Sequence, residues 1–174
     1  ELWVNKTEDA KASILEGVLQ IVRRHGWPEP KPSIQIKAEF TRLQKTSVFL
    51  DNDGLIRPYS TAGAYVVGTF FPNRYRARRQ RVLSAWDMWH DDAMLRKAIR
   101  LQLDSGHPTT PERVLKALVM FSRTPSVFRP AVAKYVYENS CPKGGVVWDP
   151  CAGYGGRLLG AMSAGVGKYI GTDL

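Results

Sequence analysis

The sequence predicts an α/β fold, and the prediction depends on three features near the C-terminal end. An apolar run of β-forming residues ends at Asp149. A turn with glycines at 153, 155 and 156 follows and leads into a helix-like segment at 157–164. A second short apolar run ends at Asp173, about 20 residues after Gly153. Strand, glycine-rich turn, helix, strand and acidic residue, in this order, are typical of the first βαβ unit of a nucleotide-binding sheet.

Residues 1–82 are predicted to form a basic N-terminal α+β region. Thr7 is expected to cap a helix that runs to about His25, because apolar residues recur on one face and Gly26 and three prolines follow. From Ser33 to Leu43, apolar and polar residues alternate, which predicts a half-buried strand. A small antiparallel sheet beside the first helix is therefore expected.

Further elements of that sheet are expected after the first strand. Residues 47–50 are a second strand candidate, and the Asn-Asp-Gly sequence at 52–54 is typical of a turn. Residues 55–57 resume an extended run before a proline. The small, apolar stretch 60–72 contains three strong β-formers at 65–67.

Residues 83–140 are predicted to be a helical segment. One helical pattern runs from Ser84 to Asp104, with Ser84 as the cap. Thr110 and the proline after it open another helix in the order that favours helix starts. A further helix is expected to begin at Pro130 and to end near Ser140, before a turn that leads into the apolar run at 146.

The glycine-rich turn carries a family resemblance. The run D-P-C-A-G-Y-G-G, residues 149–156, resembles the first motif of class I S-adenosylmethionine-dependent methyltransferases, especially the DNA amino-methyltransferases. The full run D-P-C-A-G-Y-G-G-R-L-L-G-A looks most like the methyltransferases encoded by phages and mobile elements. The resemblance implies that residues 141–174 begin a Rossmann-like domain that binds S-adenosylmethionine. It also implies an intracellular enzyme in a phage or bacterial host cell.

The resemblance also implies roles for individual residues. Gly153 and Gly155 would form the floor under the methionine part of the cofactor, with Pro150 in the same motif. Asp149 would face the amino group of the cofactor, and Asp173 would hold its ribose. Upstream, residues 122–133 are similar to the aromatic-x-Pro segment that precedes the sheet in many such enzymes. That similarity implies that two further residues, Phe128 and Pro130, pack over the methionine end.

A dense group of arginines lies in residues 73–81 and is called the arginine cluster below. Arginine forks bind phosphates in a bidentate manner, and the tyrosine between them can stack on a base. The formal net charge of the chain is +9, which favours polyanionic partners. The cluster is therefore predicted to contact nucleic acid, although a solvated basic loop is the alternative. Its members are Arg74, Arg76, Arg78, Arg79 and Arg81.

Composition excludes several other classes of protein. No apolar run approaches the roughly 18 residues that a membrane span needs. Two cysteines are too few for a disulfide framework or a four-ligand zinc site, which favours a reducing compartment. The sequence His90-Asp91-Asp92 does not make a metal site, because one histidine beside two solvated acids is a weak ligand set. No metal is therefore expected.

The predicted function is that of a DNA methyltransferase that modifies a base amino group. The amino-methyltransferase family carries its catalytic residues in a D/N/S-P-P-Y/F motif, which these 174 residues lack. The chain is therefore expected to be the N-terminal part of a longer enzyme and to be inactive alone, unless a partner chain or a missing C-terminal half completes the sheet. The alternative is a non-catalytic DNA-binding or scaffold protein with a degenerate cofactor fold. A NAD-dependent oxidoreductase is disfavoured by the Asp-Pro before the glycines.

Overall fold

A computed structural model describes residues 3–28, 32–47, 53–54, 60–79 and 81–173. These residues are mostly helical and contain one two-stranded parallel sheet. Short 3₁₀ helices span Trp3–Asn5 and Pro72–Tyr75. The regular elements are, in chain order, α1 Glu8–His25, α2 Ser33–Lys45, α3 Ala64–Phe70, α4 Ala85–His90, α5 Asp92–Asp104, α6 Pro111–Ser122, α7 Pro130–Ser140, β1 Val146–Asp149, α8 Gly156–Ala164 and β2 Lys168–Gly171.

The chain divides into two compact units, and each unit is built from two separate stretches of sequence. The first unit contains Glu1–Glu29 and Asn73–Pro125. The second contains Pro30–Pro72 and Ser126–Leu174. The glycine-rich turn therefore shares a unit with residues that lie about a hundred positions earlier in the sequence.

The first unit is a helical cluster around one hydrophobic core. Helices α1, α4, α5 and α6 supply its buried residues, among them Leu19, Leu95 and Leu118, each no more than 1% exposed. The prediction for α1 is confirmed: the Thr7 side chain accepts a hydrogen bond from the Ala10 amide, and the chain leaves the helix at a Gly26 with φ of 73°.

The helix predicted over residues 84–104 is divided in two by Asp91. Its backbone is extended there, with φ of −99° and ψ of 117°, so the hydrogen-bond ladder stops. The Asp91 carboxylate then accepts hydrogen bonds from the amides of Ala93 and Met94 and begins α5. Side chains of this type favour helix caps over helix interiors, which is why an apparently continuous pattern ends at this residue. Ser84 caps α4, as predicted, and forms a capping box with Asp87.

The strand predicted at 33–43 is wrong, because these residues form α2. The period-2 alternation coincides with a helical spacing in which Ile36, Phe40 and Leu43 share one face. That face packs on α3 and α8, and Leu43 is fully buried, whereas Ile34 is 74% exposed. Tertiary packing therefore decides between two patterns that the sequence satisfies equally.

The β-formers at 65–67 also lie in a helix, α3, where Val66 and Val67 are buried in the core of the second unit. The remaining strand and turn candidates, residues 48–50, 52 and 55–57, lie outside the described residues. Within the described part of residues 1–82, the predicted antiparallel sheet does not form. For the described residues of this region, the α+β prediction is therefore corrected to a helical structure with an isolated bridge between Arg79 and Val82.

The predicted strand–helix–strand unit is confirmed. Strands β1 and β2 pair in parallel, with Val146 opposite Lys168 and Asp149 opposite Gly171. Helix α8 begins at Gly156 and packs closely against α7. The chain thus combines helices with a small parallel sheet, as an α/β protein does. No helix of the described residues has the length and apolar character that crossing a membrane requires.

The packing of α8 on α7 depends on Gly160. A Cβ at this residue would lie 2.5 Å from the Ala133 Cβ and 2.8 Å from the Pro130 carbonyl oxygen. We expect Gly160→Ala to lower the free energy of unfolding by about 1–3 kcal/mol, because the helices must separate. Gly17→Ala is the matched control, since a Cβ there meets no atom within 4 Å and alanine favours a helix by about 0.5–1 kcal/mol. Urea unfolding followed by circular dichroism measures both changes, and equal stability of the two variants would contradict this packing.

Candidate functional site

The glycine-rich turn connects the end of β1 to α8 and is fixed to the end of β2. The Thr172 amide donates to the Asp149 carbonyl at 2.9 Å, and the Ala152 amide donates to the Thr172 carbonyl at 2.9 Å. Gly153 and Gly155 have φ of 58° and 74°, a backbone region that side chains with a Cβ rarely adopt. The turn therefore needs glycine at these two positions and brings residues 149–157 beside Asp173.

Asp149 is buried at the carboxyl end of β1 and is held by three hydrogen bonds. Its Oδ1 accepts from the Cys151 amide at 3.2 Å, and its Oδ2 accepts from Arg157 Nε at 2.6 Å and from the Tyr169 hydroxyl. Burial alone would raise the pKa of Asp149, but the hydrogen bonds from Tyr169 and Arg157 outweigh it and hold the pKa below its usual range. Burial, and the hydrogen bond that the Tyr169 hydroxyl donates to Asp149, raise the pKa of Tyr169. Asp149 is thus a fixed carboxylate beside a fixed cation.

The lowered pKa of Asp149 predicts how stability depends on pH. Because the folded-state pKa lies below the ordinary value of 3.8, the carboxylate stabilises the fold above about pH 4, and this contribution is lost as the pH falls through the folded-state pKa. We expect Asp149→Asn to lower the free energy of unfolding at about pH 7. The difference between the variant and the unmodified protein should shrink as the pH falls toward about 3. Urea unfolding of both proteins at several pH values tests this, and a difference that does not change with pH would contradict it.

Asp173 meets the glycine-rich turn at Gly153. The Gly153 amide donates to Asp173 Oδ2, and both residues are exposed. A Cβ placed on Gly153 would meet one atom within 4 Å, the Cys151 carbonyl oxygen at 3.8 Å, so the space above this glycine is open. An open glycine next to a carboxylate fits a ligand that brings hydroxyl groups to the turn. The residues present therefore fit a nucleoside such as that of S-adenosylmethionine.

Gly155 differs from Gly153 because a side chain covers it. A Cβ on Gly155 would lie 2.4 Å from the ring of Phe71, the residue that follows α3. At the next position, a Cβ on Gly156 would lie 2.0 Å from the Phe128 carbonyl oxygen. Gly155 thus shapes the turn and accommodates Phe71. Sequence reasoning did not assign Phe71 to the site, because the contact joins residues 84 positions apart and leaves no local pattern.

Phe128 and Arg157 come together at the start of α8. The Arg157 guanidinium lies 5.3 Å from the centroid of the Phe128 ring, and Phe128 is 44% exposed. Pro130 is buried as the first residue of α7, and Pro150 is an exposed residue of the turn after β1. Arg157 was not among the predicted site residues. One signal could have identified it, because a cation in the first turn of a helix opposes the helix dipole.

The arginine cluster belongs to the first unit, and its five members are not equivalent. The Arg74 guanidinium lies 4.7 Å from the Tyr75 ring centroid, and that of Arg76 lies 4.4 Å from the Trp86 ring centroid. Arg78 Nε donates to Asp87 Oδ2 at 2.8 Å. The two remaining members, Arg79 and Arg81, are exposed. Arg74, Arg76 and Arg78 therefore contact neighbouring side chains, although Arg76 and Arg78 are also exposed.

The aromatic rings that contact Arg74 and Arg76 also pack against Trp27. The centroid of the Trp27 ring lies 5.6 Å from the ring centroid of Tyr75, 4.9 Å from that of Trp86 and 5.4 Å from that of Trp89. Trp89 is 2% exposed and belongs to the core, whereas Trp86 is half-buried. The rings therefore fix Arg74 and Arg76 in place and reduce the conformational entropy that a phosphate contact would cost.

Comparisons with family models, with curated proteins and with solved structures found no match to this chain. The functional assignment therefore depends on the geometry of the two groups of residues described above and on the motif in the glycine-rich turn.

Proposed function

We propose that the chain is the N-terminal, donor-binding portion of a S-adenosylmethionine-dependent DNA methyltransferase that modifies a base amino group. The observation that carries the proposal is the parallel β1–α8–β2 unit. Its turn, D-P-C-A-G-Y-G, begins at Asp149 and lies beside Asp173. Parallel strands joined by a helix bind nucleotides at their carboxyl ends, where both carboxylates lie. The proposal includes a Rossmann-like sheet that extends beyond these two strands.

The chain's own residues suit the parts of this cofactor. Asp149 presents a carboxylate for the amino group, and Asp173 presents one for the ribose hydroxyls. The open Gly153 allows close approach to the backbone, while Gly155 and Pro150 set the shape of the turn. When bound, S-adenosylmethionine supplies an electrophilic methyl group. The half-exposed Phe128 ring, which the Arg157 guanidinium contacts, and Pro130 at the start of α7 would pack over the methionine end.

DNA is the proposed partner of the arginine cluster. A methyltransferase that acts on a base must move that base out of the stack, which costs a few kcal/mol and requires a hold on the backbone. Arginines held on aromatic rings, together with two exposed arginines, suit contacts with phosphates. Such contacts position the protein on DNA without reading its sequence.

A second candidate function is a non-catalytic DNA-binding or scaffold protein with a degenerate cofactor fold. It is favoured by one observation, the lack of a D/N/S-P-P-Y/F sequence in these 174 residues. A NAD-dependent oxidoreductase has less support, because the Asp-Pro and the spacing of the glycines differ from the Gly-x-Gly-x-x-Gly that follows the first strand in that class.

Methyl transfer to DNA tests the proposal. The full-length gene product is incubated with labelled donor and unmethylated DNA of mixed sequence, and the bases are then separated by digestion and mass spectrometry. We expect label on an exocyclic amino group of adenine or cytosine. Donor binding without transfer would favour the scaffold alternative, and label on a ring carbon would contradict an amino-methyltransferase.

A further inference from the structure

Arg157 occupies an electrostatically unfavourable position. It is the second residue of α8, where the amides of the first turn carry partial positive charge. A cation at a helix N-terminus opposes that charge, so its presence requires compensation from an anion. Asp149 supplies part of it through the 2.6 Å contact with Arg157 Nε.

The guanidinium of Arg157 is fixed in orientation, but one of its nitrogen donors has no acceptor among the described residues. Nε donates to Asp149, Nη2 donates to the Cys151 carbonyl, and one face of the group lies over the Phe128 ring. Nη1 has no acceptor among the described residues. The Arg157 side chain is 26% exposed, so Nη1 can reach a ligand from solvent. A preorganised arginine with an available donor is suited to bind a carboxylate.

We propose that Asp149 and Arg157 form one subsite for the zwitterionic amino-acid end of the donor, with Arg157 Nη1 binding the α-carboxylate while Asp149 binds the α-ammonium. The inference rests on the proposed function and assigns to Arg157 a role that the motif in the turn does not specify.

The charges of the pair match those of an α-amino acid. In an α-amino acid, the ammonium and the carboxylate are attached to one carbon, so the protein must present an anion and a cation side by side. Asp149 Oδ2 and Arg157 Nε are 2.6 Å apart, which meets that requirement. The Tyr169 hydroxyl and the Cys151 amide hold the carboxylate, and the Phe128 ring holds the guanidinium. The pair therefore exists before the ligand binds, and little order must be gained on binding.

Three ligands separate the contribution of the α-carboxylate to affinity from the contributions of the amine and of the nucleoside. S-adenosylhomocysteine carries both charges, its decarboxylated analogue keeps only the amine, and 5′-methylthioadenosine lacks the whole amino-acid end. By calorimetry on the full-length gene product, we expect S-adenosylhomocysteine to bind about 10- to 100-fold more tightly than the decarboxylated analogue, which is the usual contribution of a hydrogen-bonded ion pair. Equal affinities of the unmodified protein for these two ligands would overturn the proposal without any variant.

Arg157→Gln tests the residue itself. This variant is expected to lose the preference for S-adenosylhomocysteine, so that both ligands bind with similar affinity. Binding of the decarboxylated analogue reports that the pocket is still folded, and Arg157→Lys, which keeps the charge, is expected to keep part of the preference. Arg129→Gln is the matched control, because it removes an exposed arginine next to Phe128 and should leave the preference unchanged.

The outcomes distinguish this inference from the function on which it rests. If S-adenosylhomocysteine does not bind the unmodified protein, both the proposed function and the subsite are wrong. If it binds with the expected preference but Arg157→Gln retains that preference, the function stands and the role of Arg157 is overturned. If Arg157→Gln and Arg157→Lys lose all binding while the unmodified protein shows no preference, the arginine is structural and the proposal is likewise overturned.

Discussion

Replacement of all five members of the arginine cluster by glutamine is expected to flatten the plot of log K for DNA against log salt by about 4–5 units. Each arginine that contacts a phosphate releases condensed counterions, which contributes about 0.9 to that slope on duplex DNA. The measurement is DNA affinity, by fluorescence anisotropy, at several salt concentrations. An unchanged slope would assign the cluster to solubility.

A smaller replacement separates DNA binding from stability. Arg79 and Arg81 are exposed, so their joint replacement by glutamine should flatten the slope by about 2 units with little change in stability. Replacement of Arg113 and Lys116 in α6, which are also exposed members of the first unit, removes the same charge and is the matched control. If both pairs lower the slope equally, net charge and not the arginine cluster is responsible for binding.

Asp173→Ala is expected to weaken the binding of S-adenosylhomocysteine about 10- to 100-fold. Asp173 lies directly after β2, and its carboxylate meets the open Gly153. Hydrogen bonds from ribose hydroxyls to a charged acceptor contribute about 1.5–3 kcal/mol, which corresponds to that loss of affinity. Isothermal titration calorimetry of the full-length gene product measures the change.

A control acidic residue shows whether the effect is local. Asp9 is an exposed carboxylate in α1, in the other unit, and Asp9→Ala should leave the affinity for S-adenosylhomocysteine unchanged. The thermal stability of Asp173→Ala is measured alongside the affinity, because the substitution also removes the hydrogen bond from the Gly153 amide. Undiminished affinity in Asp173→Ala would remove this residue from the site.

The parts of the fold that the sequence predicted correctly have local causes. The Thr7 and Ser84 caps, the proline at the start of α7 and the glycine-rich turn are each set by residues within a few positions of one another. The strand prediction at 33–43 failed because Ile36, Phe40 and Leu43 fit a helix as well as a strand, and only packing on α3 and α8 selects the helix. Local patterns cannot resolve a choice that distant residues make.

The candidate site shows the same limit. The motif identified Asp149, Gly153 and Asp173, which the structure brings together around one turn. Phe71 was missed because its contact with Gly155 crosses the second unit and leaves no spacing along the chain. Arg157 was missed although its position in the first turn of α8 is a local signal. For the arginine cluster, the composition predicts the positive charge but not the ion pair of Arg78 with Asp87, which separates members that contact neighbouring side chains from those that do not.

The central claim is that the turn between β1 and α8 binds S-adenosylmethionine. The most direct measurement is isothermal titration calorimetry of the full-length gene product with S-adenosylhomocysteine and, separately, with NAD. We predict saturable binding of S-adenosylhomocysteine and none of NAD, because the Asp-Pro turn and the Asp149–Arg157 pair suit an amino-acid-bearing nucleoside. Binding of NAD without binding of S-adenosylhomocysteine would contradict the account.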